Sequence, residues 1–188
     1  MTEESFSAAR EHPGSKAGRI GEMLRVDHAG EYGAVRIYQG QRAVFEGLPH
    51  KAGTASLLAE MEKGEAEHLA AFDRLLAERR VRPTLLAPFW NAAGFALGAA
   101  TALMGEKAAM ACTEAVEDVI EKHYAAQAEE LGQDEPDLSA TIRQFREDEI
   151  GHKTTAETHG AREAAGYPLL SAAIKAGCRL AIRVAEKV

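Results

Sequence analysis

Apolar residues recur along this chain at steps of three and four, the period that gathers them on one side of an α-helix. Leu138, Ile142, Phe145, Glu149, His152 and Ala156 form one such stripe, and Thr54, Leu58, Met61, Glu65, His68, Phe72 and Leu75 form another. Leu24, His28, Glu31, Val35 and Tyr38 share a side after Gly18, as do Met110, Thr113, Glu117, Ile120, Tyr124 and Gln127 further on. Between them stand Gly47-Leu48-Pro49-His50, Arg82-Pro83, the turn from Gly132 to Pro136, and Gly166-Tyr167-Pro168. Glycine and proline there stop a helix by backbone freedom or by a missing N–H. The pattern predicts four long helices, over about 18–46, 54–80, 107–131 and 138–164, with Thr54 capping the second. Two apolar segments, Thr84–Gly105 and Leu169–Lys187, follow the second and fourth. With an Ala-rich, Val-poor composition and no alternating strand pattern, the fold class is all-α.

The chain also repeats itself. Glu31 to Glu117 is 86 residues, Glu65 to Glu149 and His68 to His152 are 84, and Pro83 to Pro168 is 85. Each lone Glu has a Tyr seven residues on (Tyr38, Tyr124) and a Gln ten on (Gln41, Gln127). A duplicated helical hairpin predicts a pseudo-two-fold four-helix bundle with two short accessory helices. The expected organisation is one domain over 18–188, in halves of about 18–105 and 106–188, behind a flexible tail over 1–17. That tail carries Glu3, Glu4 and Glu11 and no apolar segment, so it reads as neither a secretory signal nor an organellar transit peptide.

Two of the stripes contain ionisable residues where a core is expected. A buried unpaired carboxylate costs several kcal/mol or more, so it must be neutralised, paired or bound to a cation. Glu and His at i, i+3 project the same way and can grip one cation together. One Glu-x-x-His match is common by composition alone, but Glu65-x-x-His68 and Glu149-x-x-His152 interrupt two matched stripes. With one Glu from each of the other two helices, they make the ligand set of a di-metal carboxylate site: Glu31, Glu65, His68, Glu117, Glu149 and His152. Four carboxylates and two divalent cations sum to zero charge. Mixed carboxylate and imidazole donors suit iron or manganese better than a structural zinc, and iron suits oxygen chemistry.

Around that set, Asp148 precedes a ligand and is placed to fix an imidazole tautomer, whereas its repeat counterpart is Gly64, so the two metals would have unequal surroundings. Tyr38 and Tyr124 are candidate redox or hydrogen-bonding groups. His123, beside Tyr124, and His28, one turn before Glu31, are weaker candidates for supporting positions. His12, His50 and His159 read as surface residues.

Charge and composition narrow the class. A net charge of −7 disfavours a general nucleic-acid binder. The two cysteines, Cys112 and Cys178, lack metal spacing and read as small buried residues in a reducing compartment. Thr84–Gly105 has no charge over 22 residues, long enough to raise the question of a membrane span. One crossing there would put the two halves of the ligand set on opposite sides of a bilayer, so the segment is expected not to span. Lys175, Arg179 and Arg183 form a basic line beside the apolar side of Leu169–Lys187, as in helices that lie in a membrane interface. Gly94-x-x-x-Gly98 offers close helix contact or dimerisation.

Several stretches together resemble the demethoxyubiquinone hydroxylase family. They are Leu24-Arg25-Val26-Asp27-His28-Ala29-Gly30-Glu31-Tyr32-Gly33-Ala34, Glu65-Ala66-Glu67-His68-Leu69, Arg80-Val81-Arg82-Pro83-Thr84, Gly94-Phe95-Ala96-Leu97-Gly98, Ala109-Met110-Ala111-Cys112-Thr113, Glu117 with His123-Tyr124, Glu149-Ile150-Gly151-His152, and Ala176-Gly177-Cys178-Arg179. The resemblance covers about Gly18 to Val188. It implies a ferritin-like di-iron monooxygenase that hydroxylates the demethoxyubiquinone ring in the penultimate step of ubiquinone biosynthesis, with the six residues above as iron ligands. O2 and electrons ultimately from NADH are the implied co-substrates, and no nucleotide-binding glycine fingerprint is present. A polyprenyl substrate implies a membrane surface, with Leu85, Leu86, Phe89, Trp90, Phe95, Leu170 and Ile174 as the expected membrane and substrate-access face. The implied setting is peripheral, on the cytoplasmic face of a bacterial inner membrane. A lipid-binding accessory protein of the same pathway and a homo-oligomer are further partners it raises. The alternatives are a ferritin-like role in iron or peroxide handling and hydroxylation of a tRNA base.

Overall fold

The structure is a computed structural model in which residues 15–187 are described. The tail expected over 1–17 lies outside them except for residues 15–17, as does the surface position expected for His12. At that boundary the Ser15 hydroxyl accepts from the Gly18 N–H at 3.0 Å and caps the first helix.

Six α-helices follow among the described residues: α1 Lys16–Phe45, α2 Ala52–Arg79, α3 Ala87–Leu103, α4 Glu106–Leu131, α5 Pro136–Thr158 and α6 Tyr167–Ala185. They make an all-α, ferritin-like bundle. Helices α1 and α2 pair as one hairpin, α4 and α5 as the other, and α1 meets α4 between them. Helix α3 packs on α1, and α6 packs on α4. The order of layers is therefore α2/α5, then α1/α4, then α3/α6. Being in the middle, α4 is buried on every side from Ala108 to Glu117.

Two boundaries differ from the sequence expectation, each for a local reason. Thr54 does not cap α2. A proline-led 3-10 turn, Pro49–Lys51, starts the helix earlier, and the Thr54 hydroxyl hydrogen-bonds Glu106 on α4 instead. Helix α5 stops at Thr158, not near Ala164, because Gly160 takes the left-handed conformation (φ 83°) that ends helices. The buried stripe on α2 also drifts by one at each end, to Ala55 and Leu76, because a helix turns about 3.6 residues per turn and not 3.5.

The α1/α3 crossing is made by glycines. A Cβ at Gly98 would collide with the Ile37 carbonyl, one at Gly40 with the Phe95 carbonyl, and one at Gly94 would sit 2.8 Å from the Gly33 oxygen. The Gly94-x-x-x-Gly98 pair is thus used up inside the chain, letting an apolar helix lie against α1 backbone to backbone. On the other half, a charged contact holds α6. Lys175 Nζ lies 3.3 Å from Glu114 Oε1 and 3.1 Å from Asp118 Oδ2, and the Tyr167 hydroxyl donates to Glu114 Oε2 at 3.0 Å. The basic line expected along α6 is therefore broken: acids on α4 capture Lys175, and Arg179 and Arg183 alone stay exposed.

Two apolar clusters bracket the middle of the bundle. One contains Phe45, Leu58, Met61 and Met110, and the other Leu24, Phe72, Leu131, Leu138 and Ile142. The four glutamates of the expected ligand set lie between them. Replacing Gly98 by Ala puts a methyl group against backbone that cannot move aside. It should lower stability by about 1–3 kcal/mol, read as a shift in urea midpoint, and an unchanged midpoint would contradict this crossing.

Candidate metal centre

Each of the four long helices sends at least one carboxylate to the centre, and α2 and α5 each add an imidazole one turn on. Glu31, Glu65, Glu117 and Glu149 are 0, 0, 1 and 0 % exposed. Their oxygens and the histidine nitrogens form two groups, Glu31–Glu65–His68–Glu149 and Glu65–Glu117–Glu149–His152, with ligand atoms in each within 4.8 Å of one another. Glu65 and Glu149 belong to both. Each group therefore has one carboxylate and one imidazole of its own, and two carboxylates shared across the middle. His68 Nδ1 lies 3.2 Å from Glu149 Oε1 and 3.6 Å from Glu31 Oε2. His152 Nδ1 lies 2.7 Å from Glu65 Oε1 and 3.5 Å from Glu149 Oε2.

This donor set fits a pair of divalent cations. Glu31 Oε2, both Glu65 oxygens, Glu117 Oε2, both Glu149 oxygens and the Nδ1 atoms of His68 and His152 are buried without a hydrogen-bond partner. Even the 2.7 Å approach of His152 to Glu65 is not aligned as a hydrogen bond. Atoms so close and yet unpartnered converge on shared points, as ligand atoms do.

The electrostatics agree. Burial pushes the Glu31 and Glu117 carboxyls well above the usual range, and the charges of Glu65 and Glu149 push them further. Burial also acts on Glu65, but its contacts with His152 and His68 outweigh it and hold that carboxyl at about 2. His152 is raised to about 10: burial opposes its charge, and Glu149 and Glu65 overcome it. His68 is raised for the same reason, by Glu149, Glu31 and Glu65. The cluster draws positive charge.

The tyrosines bond across the two halves. Tyr38, on the same helix as Glu31, donates to Glu117 Oε1 at 2.7 Å, and Tyr124, on the same helix as Glu117, donates to Glu31 Oε1. Burial and the adjacent carboxylate raise both phenols well above their ordinary value, so they stay protonated donors. Asp148 Oδ2 lies 3.2 Å from His68 Nε2, and the Phe145 ring stacks on the same imidazole at 4.1 Å. His123 does not reach the ligands; its Nε2 lies 3.1 Å from Asp27 Oδ1, which Gln127 also holds at 2.7 Å. His28 pairs with Asp73 at 3.0 Å, away from the centre. His50 and His159 are exposed. Cys112 is buried and Cys178 half-buried, and burial pushes the two free thiols up to about 12 and about 11.

Two buried acids escaped the sequence reading. Asp27 sits one turn before Glu31, a spacing that would have pointed to it; burial raises its carboxyl against the pull of His123. Glu114, three residues before Glu117, reads as one more helix-surface acid until α6 is seen to cover it.

The expected membrane and access residues divide. Leu85 and Phe89 are 85 and 59 % exposed, and Leu86 is half-buried. Trp90 is half-buried against Val26, Ala29 and Ala185, and Phe95 lies under the Arg36 guanidinium, 5.0 Å from its ring centre. Leu170 is half-buried, and Ile174 is buried in the α1/α4/α6 core, so Ile174 is no part of an exposed face. No helix among the described residues is long and apolar enough to cross a membrane. A groove of about 900 Å³ opens between α2 and α5 beside His68 and His152. A smaller cavity of about 390 Å³, beside His123, lies between α4 and α6 with Lys122, Arg179 and Arg183 in its lining.

Residues 18–185 match the family described as Ubiquinone biosynthesis protein COQ7. The chain is 55% identical over 174 residues to the 3-demethoxyubiquinol 3-hydroxylase of Rhodospirillum rubrum, covering 93% of this chain and 81% of that protein. It is 45% identical over 172 residues to the mitochondrial NADPH-dependent 3-demethoxyubiquinone 3-hydroxylase of Mus musculus, covering 89% and 77%. It is 40% identical over 190 residues to the mitochondrial 5-demethoxyubiquinone hydroxylase of Saccharomyces cerevisiae, covering 93% and 80%.

The cross-bonds of the tyrosines are open to test in the metal-free protein. Tyr38→Phe leaves Glu117 Oε1 without its donor in a buried setting and should cost about 1–3 kcal/mol in urea denaturation. Tyr124→Phe should cost a similar amount through Glu31, and native stability in both variants would contradict the bonding.

Proposed function

The chain belongs to the Ubiquinone biosynthesis protein COQ7 family, and from that premise we propose that it is a di-iron monooxygenase hydroxylating the demethoxyubiquinone (demethoxyubiquinol) ring. Residues 18–188 would act as one domain. The observation that carries the reading is the buried ring of Glu31, Glu65, Glu117 and Glu149 closed by His68 and His152. The names of the relatives favour a quinone substrate over iron handling or a tRNA base.

Glu31 and His68 would hold one cation and Glu117 and His152 the other, with Glu65 and Glu149 common to both groups. Two irons bound there would supply the redox chemistry that places one atom of O2 in the quinone ring and releases the other as water. The protein's own part is positioning. Tyr38 and Tyr124 orient the two unshared carboxylates through their hydroxyls, and Asp148 fixes the tautomer of His68 so that Nδ1 faces inward. The apolar clusters above and below keep bulk water from a site where charge develops. A reduced nicotinamide nucleotide supplies the electrons; NADH is the form expected from the sequence, whereas the mitochondrial relatives are named for NADPH.

A polyprenyl quinone is carried in a membrane, and the outward side of α3 suits one. Its exposed positions, Pro88, Phe89, Ala92, Ala96, Ala100 and Leu103, are all apolar, Leu85 is exposed just before its start, and α6 adds exposed Leu169 and Leu180 beside Arg179 and Arg183. Trp90 and Ile182 bring the two helices together over α1. This face would rest on the cytoplasmic leaflet of a bacterial inner membrane, with or without an accessory lipid-binding protein.

Glu117→Ala should reduce bound iron from about two per chain and abolish hydroxylation; full activity would contradict the ligand assignment. In a strain lacking this gene, the demethoxy precursor should accumulate and be cleared when the gene is restored. Leu85→Asp combined with Phe89→Asp should abolish flotation with anionic vesicles while leaving iron content unchanged, and undiminished flotation would remove α3 from the membrane reading.

A further inference from the structure

The carboxylate side of the centre is balanced, since each unshared glutamate receives one tyrosine hydroxyl. The imidazole side is not. His68 is held on its edge by Asp148, 3.2 Å from Nε2, and on its face by Phe145. Asp148 is itself steadied by Gln144, whose amide donates to Oδ1 at 3.1 Å. A carboxylate behind an imidazole fixes the ring and makes the opposite nitrogen a stronger donor.

In the other half, the position before the glutamate is Gly64, not an aspartate, and the counterpart of Phe145 is Met61. Gly64 also explains how the second ring fits. A Cβ there would stand 3.2 Å from His152 Nε2 and 3.3 Å from Cε1, so a side chain able to act as Asp148 does would press on the imidazole. The nearest aromatic ring, Tyr38, meets His152 edge-on at 6.3 Å. The His152 side chain is 16 % exposed against 5 % for His68.

That exposure is to the groove between α2 and α5, which Gly64 and Gly151 leave open. Glu67, Glu147 and Asp148 line it against a single Arg74, giving it a negative field that draws cations. The cavity between α4 and α6 is lined by Lys122, Arg179 and Arg183 against Glu186, the opposite sign.

We propose that the two cation positions are unequal, and that the one held by Glu117 and His152 is the labile position, filled last and emptied first through the α2/α5 groove. The inference rests on the di-metal reading above and adds the order of filling and the route. Removal of an outer partner of a ligating histidine lowers metal affinity about 10–100-fold, which sets the expected separation.

The test uses the metal-free full-length chain and stepwise Co2+, followed by visible absorbance. Two binding steps separated by about 10–100-fold are expected. Asp148→Ala should weaken only the tighter step until the two merge, with the number of Co2+ bound unchanged. Asp148 is 42 % exposed in its side chain, so the variant should fold, and circular dichroism checks that it does. His152→Ala should keep the tight step, and His68→Ala should lose it. Glu67→Gln with Glu147→Gln should slow Co2+ uptake severalfold without changing the amount bound. Equal steps in the native chain, an unchanged separation in Asp148→Ala, or loss of the tight step in His152→Ala would each overturn the inequality. Unchanged uptake in the double variant would overturn the route. If the native chain takes up no Co2+ at all, the di-metal reading itself fails, a different result from two equal sites.

Discussion

Four carboxylates at the centre of a helical bundle repel one another in a medium that solvates none of them, and the rest of the structure is arranged around that constraint. Glu31, Glu65, Glu117 and Glu149 have essentially no exposure. The imidazoles of His68 and His152 offset part of their charge, and the raised carboxyls of Glu31 and Glu117 record what is left over. In an ordinary core such residues would be replaced by leucines at a gain in stability. A protein keeps them for the cations they can hold, and stability is then tied to metal.

The layers follow from the same need. Helices α1 and α4 supply single carboxylates from the middle layer, where they are covered on one side by α2 and α5 and on the other by α3 and α6. The cover is achieved differently on the two halves. Helix α3 sits on α1 through glycines and alanines at backbone distance, whereas α6 sits on α4 through Glu114, Asp118 and Lys175. Small residues make a contact that is close and apolar, leaving a fully apolar outer side. The ionic contact leaves α6 with exposed arginines as well.

Duplication gives the two halves matching ligands, and departures from it are where the halves become chemically distinct. Asp148 against Gly64 separates the imidazoles. Asp27 with His123 and Gln127 has as its counterpart Thr113 with Ile37 and Gln41, where Gln41 donates to the Ala109 carbonyl at 3.0 Å and no titratable group is present. Two openings of opposite charge flank the bundle, the acidic groove beside His68 and His152 and the basic cavity beside His123. A symmetric ligand set in an asymmetric surround allows one cation, one face and one opening to be used differently from its twin.

Much was determined by the linear order of residues alone. Glu65 with His68, and Glu149 with His152, interrupt stripes whose other members must be buried, so their inward direction follows from helical period. The lone Glu31 and Glu117 followed from the repeat, because a duplicated hairpin places equivalent residues in equivalent positions. Other features depended on contacts between helices far apart in the chain. No local pattern says that Tyr38 bonds the glutamate of the opposite half, that Lys175 is taken by Glu114 and Asp118, or that Gly98 meets Ile37 and not a second copy of the chain. Ile174 looks like its exposed neighbours Leu169 and Leu180 until α4 and α1 close over it. Periodicity states which way a side chain points from its own axis; what stands opposite depends on how two axes cross, and that is decided only when the whole bundle packs.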